Sequence, residues 1–496
     1  MMYEPKRLHP AAMIISVINT VRQVIFGLIP LIIIAINTDM GKYVLLGIIV
    51  LVLLIIVSSV LTWLRYTYTL EEDQIRIEQG LIVRKKRTIS KHRIQSIDLS
   101  QNIIHRILGL TKVQIETAGS DQKIDATLHA VTMEEGKIIH DQLKYTQQSK
   151  TLVTDEEVEE KEEKEQVVEE KNYPSRKITL QKLFIVGSTS GGFGVVLGLF
   201  ALFFSQVETF IPDQFYDTAT TWVVSQAIQV IIVLTVIGLI ILWGIGILYT
   251  VIQDWDFTIT RYEKELFITK GLLEKKQTTI PLSRIQAVGI QENIVRQPLG
   301  LATIYVDIAS GEVSNGNNVE LHTVIFPLIK KKNVSKFLNE LLPEYELPEE
   351  ELIKLPKRAL PYYLFRLAIL PVIATIVMLF VSPNLVFIPL IVTAIAALFG
   401  WGQYKTSSYT LSDKQLTVQS RLMNKDTVFI LHKRLQSLKK KQHIIHKKQD
   451  LATMETAILN KYQGRHIVVR ELRESDVDRI ADWYSYEKRN STPSSS

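Results

Sequence analysis

The chain contains no cysteine among its 496 residues. This absence excludes disulfide bonds, cysteine-ligated zinc, iron–sulfur clusters and thiol catalysis. A glycine-rich nucleotide loop, a nucleophile elbow and a His/carboxylate set with metal-ligand spacing are also missing from the sequence. We therefore expect a protein that is not an enzyme and that uses no cofactor and no metal.

Charge is missing from four long stretches, at 43–64, 184–204, 222–252 and 367–403. Because one membrane span needs about 20 apolar residues, the last stretch is long enough for two spans around Ser382-Pro383-Asn384. A shorter apolar run precedes position 37. The sequence therefore predicts six spans in three hairpins, at about 18–37 with 43–64, 182–204 with 226–252, and 363–381 with 385–402.

Basic residues are almost absent from the loops inside these hairpins. The loop at 38–42 has one lysine, the loop at 205–221 has three acidic residues, and the third turn has no charge. Nearly all Lys and Arg lie on the other side, which the positive-inside rule assigns to the cytoplasm. We expect a multi-pass protein of the cell membrane with both termini cytoplasmic.

A soluble segment is repeated three times, once after each hairpin. A basic residue, a branched aliphatic residue and a glutamine recur in register, as Arg93-Ile94-Gln95, Arg284-Ile285-Gln286 and Arg434-Leu435-Gln436. Such self-similarity indicates one structural unit that has been copied. In each copy the apolar residues alternate, as in half-buried strands, and an amphipathic helix follows at about 133–143, 331–342 and 474–484. This order is typical of an α+β roll.

The repeats resemble bacterial pleckstrin-homology-like (PH-like) domains, a class long catalogued as a membrane-associated domain of unknown function. The resemblance rests on the basic–Ile–Gln core and on a tail of the form Asn-x-x-x-[Arg/Gln]-x-Leu-Gly-Leu. The tail residues are Asn102, Arg106, Leu108-Gly109-Leu110, Asn293, Gln297 and Leu299-Gly300-Leu301; repeat three has Gln449-Asp450-Leu451 instead. Three hairpin-plus-domain units in one chain resemble bacterial membrane proteins of the YdbT type. The resemblance implies a β-roll with a C-terminal helix and no established catalytic activity.

The expected fold is therefore an α+β membrane protein with three transmembrane helical hairpins, each followed by a cytoplasmic PH-like β-roll and a C-terminal helix. The hairpins are assigned to 1–66, 177–254 and 359–404, and the PH-like domains to 67–147, 255–345 and 405–488. An acidic linker at 148–176, a shorter linker at 346–358 and a polar tail at 489–496 complete the division.

The recurring motif has two interpretations. Arg93, Gln95, Arg284, Gln286, Arg434 and Gln436 could bind a phosphate or an anionic lipid headgroup, or they could hold one strand end to the next loop. Their presence in three divergent copies favours the structural role, because all copies share folding constraints. His129, His322 and His466 also recur in register, and a single histidine in each copy is more typical of a hydrogen-bonded strand residue than of a metal ligand.

Basic clusters provide the best functional signal in the soluble repeats. They consist of Arg84, Lys85, Lys86 and Arg87 in repeat one, and of Lys439, Lys440, Lys441, Lys447 and Lys448 in repeat three. Beside a bilayer such clusters attract anionic headgroups, although a solvated basic face is an equally good interpretation. Nucleic acid is not expected, since no recognition pattern accompanies the charge. The expected partners are membrane lipids and a protein, with a related membrane protein carrying a single PH-like unit as one candidate.

Three functions remain open. The least favoured is an enzyme with a site at the boundary between membrane and domain, which would require titratable residues that converge in one cleft. The favoured one is a non-enzymatic membrane scaffold or sensor whose cytoplasmic domains bind protein partners or anionic lipid, with a role in envelope maintenance or in resistance to membrane-active peptides. The alternative is a transporter or lipid-handling protein that uses the six-helix bundle. A polar cavity near Ser188, Thr189, Ser190 and Gln229 would favour this alternative.

Overall fold

The structure is a computed structural model that describes residues 4–21, 24, 41–81, 83–117, 126–145, 173–189, 221–309, 322–348, 351–459 and 465–485. Its helices are α1 (Ala11–Val21), α2 (Gly41–Leu64), α3 (Ile103–Ile107), α4 (Met133–Tyr145), α5 (Leu180–Thr189), α6 (Thr221–Gln253), α7 (Val334–Leu341), α8 (Leu360–Val381), α9 (Phe387–Thr406), α10 (Ile444–Lys448) and α11 (Glu474–Ser485).

The strands are numbered in chain order. In and before the first repeat they are β1 (Lys6–Arg7), β2 (Thr67–Leu70), β3 (Gln74–Gln79), β4 (Lys85–Ser90), β5 (Ile94–Gln101), β6 (Leu110–Thr117) and β7 (Ala126–Thr132). The second set is β8 (Ser175–Lys177), β9 (Thr258–Arg261), β10 (Glu265–Lys270), β11 (Lys275–Pro281), β12 (Ile285–Glu292), β13 (Leu301–Ile308) and β14 (Thr323–Lys330). The third set is β15 (Ile353–Lys354), β16 (Ser408–Leu411), β17 (Gln415–Arg421), β18 (Lys425–Leu431), β19 (Leu435–Lys441), β20 (Leu451–Ile458) and β21 (Arg465–Arg473).

Within the described residues, three helices are long and apolar enough to cross a membrane, namely Leu46–Leu64, Lys357–Val381 and Pro383–Thr406. Shorter apolar helices cover Ala11–Val21 and Ile237–Gln253. The predicted spans at 18–37 and 182–204 lie largely outside the described residues. Helix α6 covers the predicted span at 226–252.

Helices α8 and α9 pack closely against each other. The Thr375 and Thr393 hydroxyl oxygens are 3.3 Å apart. At Gly400 a Cβ atom would lie only 2.7 Å from the carbonyl oxygen of Tyr363, so the missing side chain lets the two backbones approach. Small residues at such crossings are the usual device for packing helices in membranes.

The chain divides into two compact units, which are described separately. In the first unit, β1–β4 form one sheet, and a second sheet has the order β7-β6-β5-β11-β10. Alternation explains the packing, since Ile75 and Ile77 are buried while Arg76 between them is exposed. One core joins these residues to Val113 and to Ile139 of α4, which closes the first repeat as a roll.

In the second unit, one sheet has the order β14-β13-β12-β18-β17-β16-β15 and another has the order β19-β20-β21. The core of the third repeat contains Tyr409, Val418 and Met454 from the strands and Val477 and Ile480 from α11. The amphipathic helices expected at the end of each repeat are present as α4, α7 and α11.

Each repeat also includes a short strand that precedes its apolar helices. Lys6 pairs with Tyr68, and Ile353 pairs with Tyr409, so β1 joins β2 and β15 joins β16. Strand β8 occupies the same place in the sequence before α5. In the first and third repeats, the strand before the apolar segment is thus adjacent to the strand after it.

Candidate membrane-facing and edge-strand surfaces

The recurring Arg-Ile-Gln motif lies between β4 and β5, between β11 and β12, and between β18 and β19. In every copy a 3-10 turn ends at the arginine and a strand begins at the next residue. The pairing register then shifts between Ile94 and Ser96, between Ile285 and Ala287, and between Leu435 and Ser437. The glutamine is therefore the extra residue of a β-bulge in all three copies.

The contacts of this motif support a structural role. The buried Gln286 side chain donates to the carbonyl oxygen of Arg284 at 2.9 Å, and the same carbonyl accepts the Ala309 N–H at 3.1 Å. Arg93 and Gln436 are exposed, whereas the Gln95 side chain lies outside the described residues. The equivalent residues thus share a backbone geometry and differ in their side-chain environments.

A second shared feature is the turn that follows β5, β12 and β19. Gly109 has φ 64°, Gly300 has φ 61°, and Asp450, where the Leu-Gly-Leu sequence is lost, has φ 50°. In each copy the N–H of this residue donates to the third residue before it, and its carbonyl accepts from the residue that starts the final helical segment (Met133, Lys331 or Glu474). Repeat three therefore keeps the turn, because aspartate tolerates positive φ better than most residues.

The segments before these turns, 102–109, 293–300 and 443–450, are here called the long loops. Their apolar side chains are largely exposed: Ile103, Ile107 and Leu108 in the first, Ile294, Val295 and Leu299 in the second, and Ile444 and Ile445 in the third. Clustered exposed apolar residues commonly mark a contact with a membrane or with another protein.

Exposed apolar residues also occur in the turns of three β-hairpins, which join β3 to β4, β10 to β11 and β17 to β18. These turns are here called the hairpin tips. Exposed apolar residues are Leu81 and Val83, Leu272 and Leu273, and Leu422 and Met423. The extreme case is Leu422, with 79% of its surface exposed. A soluble domain would not gain stability by leaving six such side chains in water.

The hairpin tips lie beside the ends of apolar helices or beside residues that directly follow them. Arg65, directly after α2, donates from Nη1 to the carbonyl oxygen of Leu81 at 3.4 Å. Gln403, near the end of α9, donates to the carbonyl oxygen of Leu422 at 3.3 Å. In the second repeat the N–H of Gly271 donates to the carbonyl oxygen of Trp255, which follows α6, at 2.8 Å.

In the second and third repeats, the long loops contact α5 and α8, respectively. Arg296 donates from Nε to the Thr189 hydroxyl at 2.8 Å and from Nη2 to the carbonyl oxygen of Val186 at 3.3 Å. Nearby on α5, Phe184 is 55% exposed. Tyr362, at the start of α8, packs edge-on against His446 and donates to the side chain of Gln449 at 2.9 Å. Both loops therefore lie against these apolar helices.

Arg296 is a residue of the second long loop that the sequence analysis did not single out. It is buried, and its partners are hydroxyl and carbonyl oxygens, including that of Pro327 at 3.2 Å. Burial lowers the pKa of its guanidinium group. Aligning the repeats on the shared turn places His105 and His446 at the same position, with Nε2 of His105 2.8 Å from the carbonyl oxygen of His129. Such an alignment would have revealed this recurring basic position.

The predicted basic clusters lie on two strands and one long loop. Lys85, Lys86 and Arg87 are in β4, Lys439–Lys441 are in β19, and all six side chains are exposed. Arg84 closes the first hairpin tip beside Val83, and Lys447 and Lys448 belong to α10 in the third long loop. The structure therefore places Arg84, Lys447 and Lys448 next to exposed apolar residues.

Acidic neighbours partly neutralise the lysines of the strands. Lys440 contacts Asp478 at 2.6 Å and Glu474 at 2.9 Å, and the hydrogen bonds that it donates to these carboxylates raise its pKa. Lys441 pairs with Glu455, and this contact lowers the Glu455 pKa. On β4, Lys86 lies 2.9 Å from Glu78. These exposed pairs contribute little to stability.

The second unit contains a buried charged cluster. Asp307 is fully buried, its carboxylate accepts from Nη1 of Arg465, and Nη2 of Arg465 donates to the Tyr305 hydroxyl at 3.0 Å. The His322 ring stacks on Tyr305 with centroids 4.4 Å apart. Burial raises the pKa of Asp307 to about 6, although Arg465 lowers it.

The recurring histidines occupy different environments. His129 lies in β7, His322 directly precedes β14, and His466 in β21 contacts Glu455 at 3.0 Å. Among the residues that the structure describes, no group of three or more His, Asp or Glu side chains could hold a metal ion.

The polar residues considered for a transport path are only partly described. The Ser188 and Thr189 hydroxyls donate to the Ile185 carbonyl in their own helix, at 3.2 and 2.6 Å. Ser190 and the side chain of Gln229 lie outside the described residues. The described hydroxyls thus satisfy helix carbonyls and the Arg296 contact.

Repeated rolls with bulged strands, each following apolar helices, define a membrane protein built from PH-like domains. The family model described as a bacterial PH domain matches the chain three times, at residues 21–147, 210–345 and 362–488. Over 494 residues the chain is 34% identical to the UPF0699 transmembrane protein YdbT of Bacillus subtilis (strain 168), covering 98% of this chain and 99% of that protein. The chain therefore belongs to the bacterial PH domain family of transmembrane proteins.

Proposed function

We propose that the chain is a non-enzymatic membrane scaffold or sensor. It crosses the cell membrane six times in three hairpins, with both termini and the PH-like domains in the cytoplasm. Its domains bind anionic lipid at their membrane side and protein partners elsewhere, and a related membrane protein with a single PH-like unit is the partner class we favour. Envelope maintenance or resistance to membrane-active peptides is the process in which we place it.

The observation that carries this proposal is the position of the exposed apolar residues. Leu422 and Met423 lie beside the end of α9, and Ile444 and Ile445 lie in the loop that contacts the start of α8. Side chains in these positions enter the headgroup region of a bilayer, where burial removes them from water. Lys447 and Lys448 in the same loop would then meet anionic headgroups, each contributing about 1 kcal/mol.

Depth labelling of the full-length protein tests the membrane contact. Because the chain has no cysteine, Leu422→Cys or Ile445→Cys supplies the single labelling site for a fluorophore. Lys414→Cys is the matched control, because Lys414 is exposed and lies at the other end of β17. At a rise of about 3.3 Å per residue, it is about 23 Å from Arg421, the residue before Leu422. We expect lipid-borne quenchers to quench labels at 422 and 445 and not at 414. Equal quenching at all three positions would contradict the proposal.

Two further measurements test lipid choice and orientation. Lipid-borne quenchers should quench the label at 445 more strongly in nanodiscs that contain phosphatidylglycerol than in nanodiscs of phosphatidylcholine alone. The double substitution Lys447→Gln/Lys448→Gln should abolish this difference. In intact cells, a membrane-impermeant thiol reagent should leave Lys414→Cys unmodified and should modify a cysteine placed at Asp39. The opposite labelling would overturn the cytoplasmic assignment.

Growth of a deletion strain tests the cellular role. We expect the strain to be more sensitive to membrane-active peptides, and the wild-type chain to restore resistance. Restoration by a chain carrying Leu422→Asp/Ile445→Asp would show that the membrane-facing loops are dispensable for that role.

A further inference from the structure

Within each unit the chain joins successive repeats by pairing the edges of their sheets. Strand β5 of the first repeat pairs with β11, and β12 pairs with β18 of the third repeat, both antiparallel. These two strand pairings are here called the seams, and they share one register. Gln101 is opposite Lys275 in the first seam, and Glu292 is opposite Lys425 in the second. When the repeats are aligned on the recurring motif, Gln101 corresponds to Glu292 and Lys275 corresponds to Lys425. Edge-to-edge pairing with one register therefore joins successive repeats at both seams of this chain.

Each seam has an acidic residue on the side of β5 or β12. Asp98 in β5 accepts the backbone N–H of Thr279 in β11 at 3.2 Å. Glu292 in β12 pairs with Lys425 in β18 at 3.4 Å. Complementary charge directly across a pair of strands stabilises the pairing, whereas like charge weakens it.

Among the end strands of the described sheets, two correspond to the strands that form the seams. Strand β4 is the last strand of the first sheet, and β19 is the last strand of the sheet with β20 and β21. In the repeat alignment β4 corresponds to β11 and β18, while β19 corresponds to β5 and β12. A third seam between two copies of the chain would therefore join β4 of one copy to β19 of the other.

The charges on these strands oppose such a seam. In the register of the two existing seams, Lys85, Lys86 and Arg87 of one copy would face Lys441, Lys440 and Lys439 of the other. Lys439 occupies the alignment position of Asp98, so the charge at this point of the edge is reversed. Lysine on an exposed edge strand is a known device that prevents self-pairing.

We propose that β19 is a docking edge for an antiparallel strand of a partner protein with carboxylates opposite Lys439 and Lys441. The basic charge of β4 excludes a second copy of this chain from the same edge. This inference rests on the protein-binding part of the proposed function and is independent of the membrane contact. Backbone hydrogen bonds would supply the affinity and the lysines the choice of partner.

A charge swap within this chain tests the edge without an unidentified partner. Copies of the full-length protein with two different affinity tags are mixed in detergent and co-purified. The probe is Lys85→Glu/Arg87→Glu, which gives β4 the carboxylates that the proposed partner strand would carry. Lys439→Asp is the reciprocal variant. It gives β19 an acidic residue at the position where β5 has Asp98.

We expect wild-type copies not to associate through these edges and each variant to associate at least about tenfold more tightly, since repulsion becomes attraction. Combining the two changes in one chain should abolish the gain. Thr88→Cys in one copy and Leu438→Cys in the other are opposite in the expected register and should form a disulfide only in the associating mixtures.

Three results would overturn the proposal. The first is that neither Lys85→Glu/Arg87→Glu nor Lys439→Asp associates more tightly than the wild type, although thermal melting shows that both variants are folded. The second is association without the 88–438 crosslink, which would place the contact on another surface. The third is a loss of bound phosphatidylglycerol in Lys439→Asp with no change in copy association, which would assign the lysines to the membrane. Label quenching at 422 and 445 would be unaffected by any of these results.

Discussion

The guanidinium group of Arg296 donates to the hydroxyl oxygen of Thr189 at 2.8 Å, which fixes the second long loop to the last described residue of α5. Leu183 and Val186 of the same helix are buried, and Val186 packs with Leu301 and Leu328 of the roll. The helix and the roll therefore form one packed body at this point.

Replacement of Arg296 should destabilise the protein. Arg296→Ala would remove hydrogen bonds to Thr189, Thr303, Val186 and Pro327, and the Pro327 carbonyl would keep the Thr303 hydroxyl as a donor. Hydrogen bonds from a charged group contribute about 1.5–3 kcal/mol each, so we expect a loss of roughly 3 kcal/mol and a lower melting temperature in detergent. Lys336→Ala, at an exposed position of α7, is the control and should melt as the wild type does.

The approach of two strands at Gly289 gives a second prediction. Gly289 is directly opposite Tyr305, and a Cβ atom there would lie 2.0 Å from Cζ of the tyrosine ring. Gly289→Ala should therefore cost about 1–3 kcal/mol by overpacking. In a double-mutant cycle, Tyr305→Ala should remove this penalty, so that the double variant is more stable than the sum of the two single losses predicts. Strict additivity would contradict the geometric explanation.

The buried cluster predicts a dependence of stability on pH. The pKa of Asp307 is about 6 in the folded protein against 3.8 for the free side chain. A raised pKa means that the folded state binds the proton more tightly than the unfolded state does. The contribution of Asp307 to the free energy of unfolding is therefore complete below about pH 4 and is lost as the pH rises through about 6. Unfolding free energy measured between these values should fall less steeply in Asp307→Asn. The exposed Asp482→Asn should keep the wild-type slope.

Much of the fold could be predicted from periodicity alone. Alternation located β2, β3 and β6, and the helical period located α4 and α11, because each element has one buried face. The family resemblance, which the comparisons confirm, came from the recurring motif and the turn. These signals are local in sequence, so one chain suffices to read them.

The arrangement of the surfaces could not be read in the same way. The basic residues of β4 and β19 were expected to form lipid-binding or solvated faces, and this stays a prediction. Their position on the end strands of two sheets was not predicted. Strand order depends on pairing between residues far apart in the chain, such as Gln101 with Lys275. No spacing rule within one repeat contains that information. Arg296 was missed for a related reason, since its partners on α5 lie more than a hundred residues away.

The contact between α8 and α9 gives the last prediction, and the chain supplies its own control. Gly400 faces the backbone of Tyr363, whereas at Gly402 the nearest atom to an added Cβ would be Cδ of Arg421 at 3.9 Å. Gly400→Leu should therefore separate the two helices, while Gly402→Leu should be tolerated. The cost at Gly400 should be about 1–3 kcal/mol, because the side chain meets backbone that cannot rotate away.

A disulfide between the two helices measures this separation directly. The hydroxyl oxygens of Thr375 and Thr393 are 3.3 Å apart, so the pair Thr375→Cys/Thr393→Cys should crosslink readily in an otherwise cysteine-free chain. We expect the rate of crosslinking to fall several-fold when Gly400→Leu is added and to stay the same when Gly402→Leu is added. A fall in both would mean that added bulk perturbs the helix wherever it is placed. In that case the close approach at Gly400 would not be what holds the pair together.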